Sequence, residues 1–191
     1  MIPSNPVAFW QYFDAITLAS LFIIITLLLF AYRRKHGRLM MTISQTVAST
    51  KTTRIIFSIS MTIFYPLYYS FIWFWVGPKT GMPSSFYYLL LASAISEMVF
   101  VWIPATKGIS NKIHTLAFAF VSIVMFTVPL LILRYGTGLS AISKVGVITF
   151  TTIALIIGGM MLVKKYQKYM LIYEVVYCVT FLSLMSLIAH T

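Results

Sequence analysis

The chain is poor in acidic residues, with three Asp and Glu against 14 Lys and Arg in 191 residues. Charged residues make up 9% of the chain and apolar residues 60%, whereas a soluble domain carries roughly 25% and 45–50%. This shortage of charge excludes a soluble globular domain and a disordered chain. The composition predicts a polytopic integral membrane protein.

Cysteine is almost absent too. Cys178 is the only one and lies inside an apolar segment, which excludes a disulfide framework and a Cys-x-x-Cys redox site. The chain also lacks Gly-x-Ser-x-Gly, His-Glu-x-x-His and Walker motifs. With so few acids, most hydrolase mechanisms lack a general base. The sequence therefore favours a protein that is not an enzyme, and it predicts no metal and no cofactor.

Long apolar segments dominate what is present. A membrane-spanning helix needs about 20 mostly apolar residues, and six segments meet that length or come close to it: 13–32, 55–76, 86–103, 113–133, 146–163 and 170–188. Gly and Pro separate most of them, and none alternates in polarity as a transmembrane strand does. The expected fold is all-α, a single bundle of six transmembrane helices. The first segment is expected to be retained, because no Lys or Arg precedes it as in a signal peptide.

The basic residues predict the orientation of this bundle. The first, third and fifth connections hold 11 of the 14 Lys and Arg, and the second and fourth hold three. The positive-inside rule places the richer side in the cytoplasm, so both termini are predicted outside. Because these charges flank apolar spans, the net charge of +11 does not indicate a nucleic-acid partner.

The first connection, residues 33–54, is the longest. Leu39, Met40, Ile43 and Val47 fall on one helical face, with basic residues at both ends of the segment. This pattern is typical of a helix lying on the inner leaflet, where anionic lipid attracts Lys and Arg. The alternative is an irregular basic loop that only sets the topology. Membrane lipids, including anionic inner-leaflet lipid, are the expected partners, together with a second copy of the chain or another membrane protein.

Each of the three acidic residues needs its own explanation. Asp14 begins the first segment, where the helix dipole favours a negative charge. Glu97 lies inside the third segment, roughly 9 Å from the inner boundary at 1.5 Å per residue. A charge at that depth costs a few kcal/mol, so Glu97 must face the bundle interior, be paired or be protonated. Ser93 lies one turn earlier on the same face.

Glu174 lies at a similar depth in the sixth segment, roughly 6 Å from the same boundary. His114 and Lys112 begin the fourth segment on that side, and Lys107 precedes them. These residues together predict a proton- or cation-responsive site within the bundle. The alternatives are an ion-paired structural contact and, for Glu174, a side chain that reaches the interface.

Aromatic residues crowd the second segment. Trp73 and Trp75 fit an aromatic belt at the outer interface. Tyr65, Tyr68 and Tyr69 lie deeper, and with Pro66 they are candidates to line a cavity for a flat or cationic ligand, although an extension of the belt is the alternative. Pro66 and Pro129 are expected to kink their helices, and Gly158-Gly159 is expected to allow close helix contact.

The join between the third and fourth segments reads Trp102-Ile-Pro104-Ala-Thr106-Lys-Gly108, followed by His114. It resembles a segment of small six-helix prokaryotic membrane proteins of unknown function related to the DRAM/Frag/Sfk group. Pro104, Thr106, Gly108 and His114 match that pattern. The resemblance implies a non-enzymatic protein of a prokaryotic plasma membrane, concerned with lipids.

Three functions remain open from the sequence. The leading one is a binding or transport protein that holds a small hydrophobic, lipid-like or cationic molecule within the bundle, anchored by Glu97. The second is an accessory subunit of a larger membrane complex. The third is an enzyme that modifies lipid.

Overall fold

A computed structural model describes Ile24, Thr42, Ile43 and residues 51–103, 108–166 and 169–191 of the chain. The predicted first span, 13–32, and most of the predicted helix in 33–54 lie outside these residues. Asp14, Pro104, Thr106 and Lys107 lie outside them as well.

The described part of the chain is helical, with turns between the helices and no strand. Its elements are α1 (Lys51–Phe71), a π-helical segment (Ile72–Val76), α2 (Gly77–Thr80), α3 (Ser84–Trp102), α4 (Ile109–Tyr135), α5 (Ala141–Leu162) and α6 (Met170–His190). Within these residues, five helices are long and apolar enough to cross a membrane: Arg54–Thr80, Ser84–Trp102, Ile109–Tyr135, Ala141–Leu162 and Met170–His190. They agree with the second to sixth predicted spans. Helices of this kind are those of an integral membrane protein.

The second predicted span ends later than expected. Gly77-Pro78 was expected to break the helix, but α1, the π segment and α2 run on to Thr80, and the chain turns at Gly81, whose φ is 66°. The Gly77 N–H donates to the Ile72 carbonyl five residues earlier. This wider turn shifts the hydrogen-bond register just before Pro78, which has no N–H to donate. Pro66 and Pro129 also lie within continuous helices, α1 and α4.

The helices pack in chain order, α3 against α4, α4 against α5 and α5 against α6, while α1 packs against α3 and the π segment against α6. The tightest packing is at one end, which we call the closed end. It carries the 81–83 and 136–140 turns and holds the most deeply buried side chains, Val76, Phe86, Ile132, Val147 and Met185.

Hydrogen bonds tie the closed end together. The Trp75 indole and the Lys79 ammonium both donate to the Ala189 carbonyl, at 3.1 and 2.8 Å. A cation is favoured there because the carbonyls of the last turn of a helix lack intrahelical partners. The Thr137 N–H donates to the Thr80 carbonyl, so the two turns are joined.

Close helix contact occurs at a different glycine from the expected ones. A Cβ added to Gly158 or Gly159 would meet nothing within 4 Å among the residues described, whereas one added to Gly146 would lie 2.8 Å from Leu187 Cδ2 and 3.1 Å from Leu184 Cδ1. The expectation for Gly158-Gly159 was therefore wrong for the described helices. The reason is position, since Gly146 faces α6 near the closed end, whereas both residues of the pair are exposed.

Candidate functional site

A cavity of about 350 Å³ lies in the half of the bundle away from the closed end. Four of the five spans line the cavity with residues from their half remote from the closed-end turns. The fifth, α4, lines it with residues from its middle. The aromatic residues of the lining are Phe57, Tyr65, Phe100, Phe118, Phe126 and Tyr177. Its other side chains are mostly aliphatic or sulfur-containing, among them Met61, Val121, Ile157, Met161 and Cys178. Such a lining favours an apolar ligand with few polar groups.

Both membrane-embedded acids line this cavity. Glu97, from α3, is 5% exposed, and Glu174, from α6, is 8% exposed. Their similar depth along antiparallel helices, as read from the sequence, places them at the same level of the bundle. The structure therefore brings two carboxyl groups to one otherwise apolar space.

Glu97 sits beside a short polar chain. The hydroxyls of Tyr69 and Ser93 lie 2.7 Å apart and share a hydrogen bond between α1 and α3. The Tyr69 side chain also lies close to the Glu97 carboxyl. Ser93 is fully buried, so it needs this partner. One oxygen of this carboxyl, Glu97 Oε2, is buried and has no hydrogen-bond partner among the described residues.

Glu174 is held differently. The Ile43 N–H donates to Glu174 Oε2 at 2.7 Å. Ile43 is helical and follows the non-helical Thr42, so its amide is of the kind that lacks an intrahelical acceptor at a helix start. A carboxylate is well suited to such an amide. Glu174 thus joins α6 to the connection that precedes α1, and Ile43 contributes to the cavity wall.

No basic side chain among the described residues lines the cavity. Lys112, a predicted partner of the two acids, is exposed at the start of α4. Within the same residues, no three His, Cys, Asp or Glu side chains lie close enough to hold a metal ion. The described site therefore offers two carboxyl groups and aromatic side chains, and no described basic side chain.

Two hydroxyl groups of the lining already have partners. The Tyr177 hydroxyl donates to the Ser122 carbonyl at 3.0 Å, which links α6 to α4. The Ser122 hydroxyl donates to the Phe118 carbonyl one turn back. These two hydroxyls are engaged, whereas Oε2 of the Glu97 carboxyl has no partner among the described residues.

Sequence reasoning did not assign Tyr177, Cys178 or the lining residues of α5 to the site. Their helical spacing is the sequence signal that could have identified them. Glu174, Tyr177 and Cys178 lie at i, i+3 and i+4, and the α5 residues follow the same rule, at 154, 157, 158 and 161. Choosing that face over others needs the neighbouring helices, because α6 is apolar all round.

Two predicted site residues lie elsewhere. Tyr68 is buried in the core, stacked on Phe64 at 5.9 Å and edge-on to Phe181 at 6.2 Å. His114 is buried at the start of α4, where its Nδ1–H donates to the Ile103 carbonyl at 2.6 Å and its ring packs on Phe100. His114 thus fastens the end of α3 to α4. It contacts the cavity wall from behind, through Phe100.

The cavity reaches the side of the bundle between α4 and α5. Its lining includes Ile123, which is 63% exposed, and the exposed Gly158. Side chains on this flank are apolar, as a lipid-facing surface requires, and Leu155 and Leu116 are among the exposed ones. Among the residues that the structure describes, the route to Glu97 therefore opens sideways between two helices.

In comparisons with known proteins, no family model matches this chain, and no curated protein and no solved structure matches it.

Proposed function

We propose that this protein binds or transports a small, largely apolar molecule within the membrane, with Glu97 as its polar anchor. One observation carries the proposal: a buried carboxyl oxygen without a partner among the described residues, on a side chain that lines a cavity of about 350 Å³. Buried polar groups in folded proteins are nearly always hydrogen-bonded, so an unpaired one beside an apolar space suits a ligand donor.

The proposal includes the topology read from the sequence. The bundle would have six spans, with 13–32 as the first, and both termini outside a prokaryotic plasma membrane. The cavity half would then lie toward the cytoplasm and the anionic inner leaflet, and the closed end would face outward. The likeness to small membrane proteins related to the DRAM/Frag/Sfk group supports an association with lipids. In the segment that carries it, Gly108 has a φ of 76° and His114 holds the α3–α4 connection together.

Gly158 offers a direct test. Its position is open, so Gly158→Phe should fill the cavity mouth without disturbing the packing of the described helices. Gly159→Phe is the matched control, because that position is equally open but does not line the cavity. Both variants and the native protein would be purified gently in native lipid, and bound molecules measured by mass spectrometry.

We expect a small molecule to co-purify with the native protein and with Gly159→Phe. Its occupancy should fall in Gly158→Phe, because overpacking a site by about 1–3 kcal/mol corresponds to roughly 5- to 150-fold in affinity. Equal occupancy in the two phenylalanine variants, or no bound molecule in any of them, would overturn the proposal.

The accessory-subunit alternative rests on the same glycine pair. Gly158 and Gly159 are exposed on α5, and small residues on a lipid-facing helix allow another helix to approach closely. A subunit would lose a co-purifying protein in both phenylalanine variants, whereas a ligand-binding protein would be affected at Gly158 alone. A lipid-modifying enzyme would instead yield a chemically altered lipid in the same mass spectra.

A further inference from the structure

The two carboxyl groups of the cavity narrow the class of ligand. We propose that the ligand is a lipophilic monovalent cation, such as a long-chain amine, whose ammonium group pairs with Glu97. This inference rests on the proposed function and refines it. It starts from the two carboxyl groups, Glu97 and Glu174, that line one space to which no described basic residue contributes.

The two carboxyl groups have different tasks. Glu174 already accepts the Ile43 amide, whereas Glu97 keeps one oxygen without a partner among the described residues. The bound cation is therefore assigned to Glu97. Glu174 is a second acidic group in the same lining, so the described walls offer an anionic ligand no positively charged partner.

The walls favour a cation with an apolar body. Six aromatic rings contribute to the lining, and their faces attract an ammonium group. The hydroxyls of Tyr177 and Ser122 are engaged with backbone carbonyls. A ligand rich in hydroxyl groups, such as a sugar, would find too few partners here. A neutral apolar ligand would fit the walls but leave Glu97 without a charged partner.

Three probes of equal chain length separate these classes: decylamine, which is a cation at neutral pH, the neutral 1-decanol and the anion decanoate. Each would be titrated into the purified full-length protein in nanodiscs, and the rise in melting temperature would give an apparent affinity. Native protein should prefer decylamine over 1-decanol by about tenfold or more, since a hydrogen bond to a charged group contributes about 1.5–3 kcal/mol. Decanoate should not stabilise it.

Glu97→Gln should abolish the preference for decylamine over 1-decanol while keeping the shape of the site. Glu174→Gln should retain most of it, because the anchor remains. Gly158→Phe should weaken decylamine and 1-decanol alike, which shows that both act in the cavity and not through the surrounding lipid.

A second measurement covers the case in which Glu97→Gln fails to fold. Native protein is treated with the apolar carboxyl reagent dicyclohexylcarbodiimide, and modification of the peptide that contains Glu97 is followed by mass spectrometry. Decylamine should slow this modification several-fold more than 1-decanol does. Equal protection, or equal stabilisation by the two probes, would overturn the cation assignment and leave the proposed function standing. Failure of all three probes to stabilise the native protein or protect Glu97 would overturn both.

Discussion

At the scale of single residues, the hydrogen bond between Tyr69 and Ser93 is the polar contact beside Glu97 that joins α1 to α3. The shared hydrogen bond between Tyr69 and Ser93 lies in the bundle interior, where Ser93 is fully buried. Hydrogen bonds between membrane helices average about 0.6 kcal/mol, but leaving a buried group unpaired costs about 1–3 kcal/mol. The pair therefore contributes mainly by keeping Ser93 satisfied.

We expect Tyr69→Phe to lower the free energy of unfolding by about 1 kcal/mol, because Ser93 loses its partner and can recover only part of the bond from the backbone one turn back. Tyr88→Phe is the matched control, since Tyr88 is 71% exposed. Both variants would be compared by detergent-induced unfolding. A loss for Tyr69→Phe no larger than the loss for Tyr88→Phe would contradict this role.

Much of the site was readable from the sequence at this scale, for a simple physical reason. An acid inside an apolar span is costly, so an interior position was one of the arrangements predicted for Glu97 and Glu174, and the position of Ser93 followed from the helical repeat. Tyr65 lines the cavity and Tyr69 reaches Glu97, as their depth suggested. Tyr68 lies among these tyrosines in the chain but packs into the core, because one residue along a helix turns a side chain by about 100°.

At the scale of the helices, span length was predictable and helix contact was not. Apolar length fixes a span, so the predicted second to sixth spans agree with described helices to within a few residues at most ends. Contact depends on which face meets a neighbour, and the sequence pattern is weak for α6, which is apolar on all sides. The π segment also left no signal, since Ile72–Val76 reads as ordinary apolar helix.

The α5–α6 contact gives the prediction at this scale. Gly146→Val should lower the free energy of unfolding by about 1–3 kcal/mol, because its side chain would press on Leu184 and Leu187 near the closed end. Gly159→Val, in the same helix, meets open space and should change it little. Thermal unfolding of the two variants in the same detergent provides the measurement. A Gly159→Val protein that is the less stable of the two would show that α5 packs through the other face.

At the scale of the whole molecule, the bundle is tightly packed at the closed end and contains a cavity in the opposite half. Fully buried side chains and the contacts on the Ala189 carbonyl concentrate at the closed end, while the cavity takes up the opposite half. The distribution of basic residues, with the positive-inside rule, predicts that the cavity half faces the cytoplasm. The fold thus combines a tightly packed half with a half that contains a cavity.

Two cysteine variants test that orientation. Ser85 and Asn111 are exposed, uncharged residues near opposite ends of the bundle, at the starts of α3 and α4. In intact cells, a membrane-impermeant maleimide should label Ser85→Cys, whereas Asn111→Cys should react only after the membrane is opened. The native protein, with Cys178 inside α6, serves as the background. The reverse pattern would invert the topology and place the cavity half outside.

The π segment, Ile72–Val76, sets the orientation of the side chains that follow it in the second predicted span. A π turn behaves as an α-helix with one residue inserted, and such an insertion re-aims everything beyond it by about 100°. Before the π segment, Tyr65 lines the cavity and Tyr69 shares a hydrogen bond with Ser93. After it, Lys79 donates to a carbonyl in the last turn of α6. A chain shorter by that residue would have to give up one set of contacts or the other. We therefore expect even a one-residue deletion within Ile72–Val76 to disrupt the packing of this span.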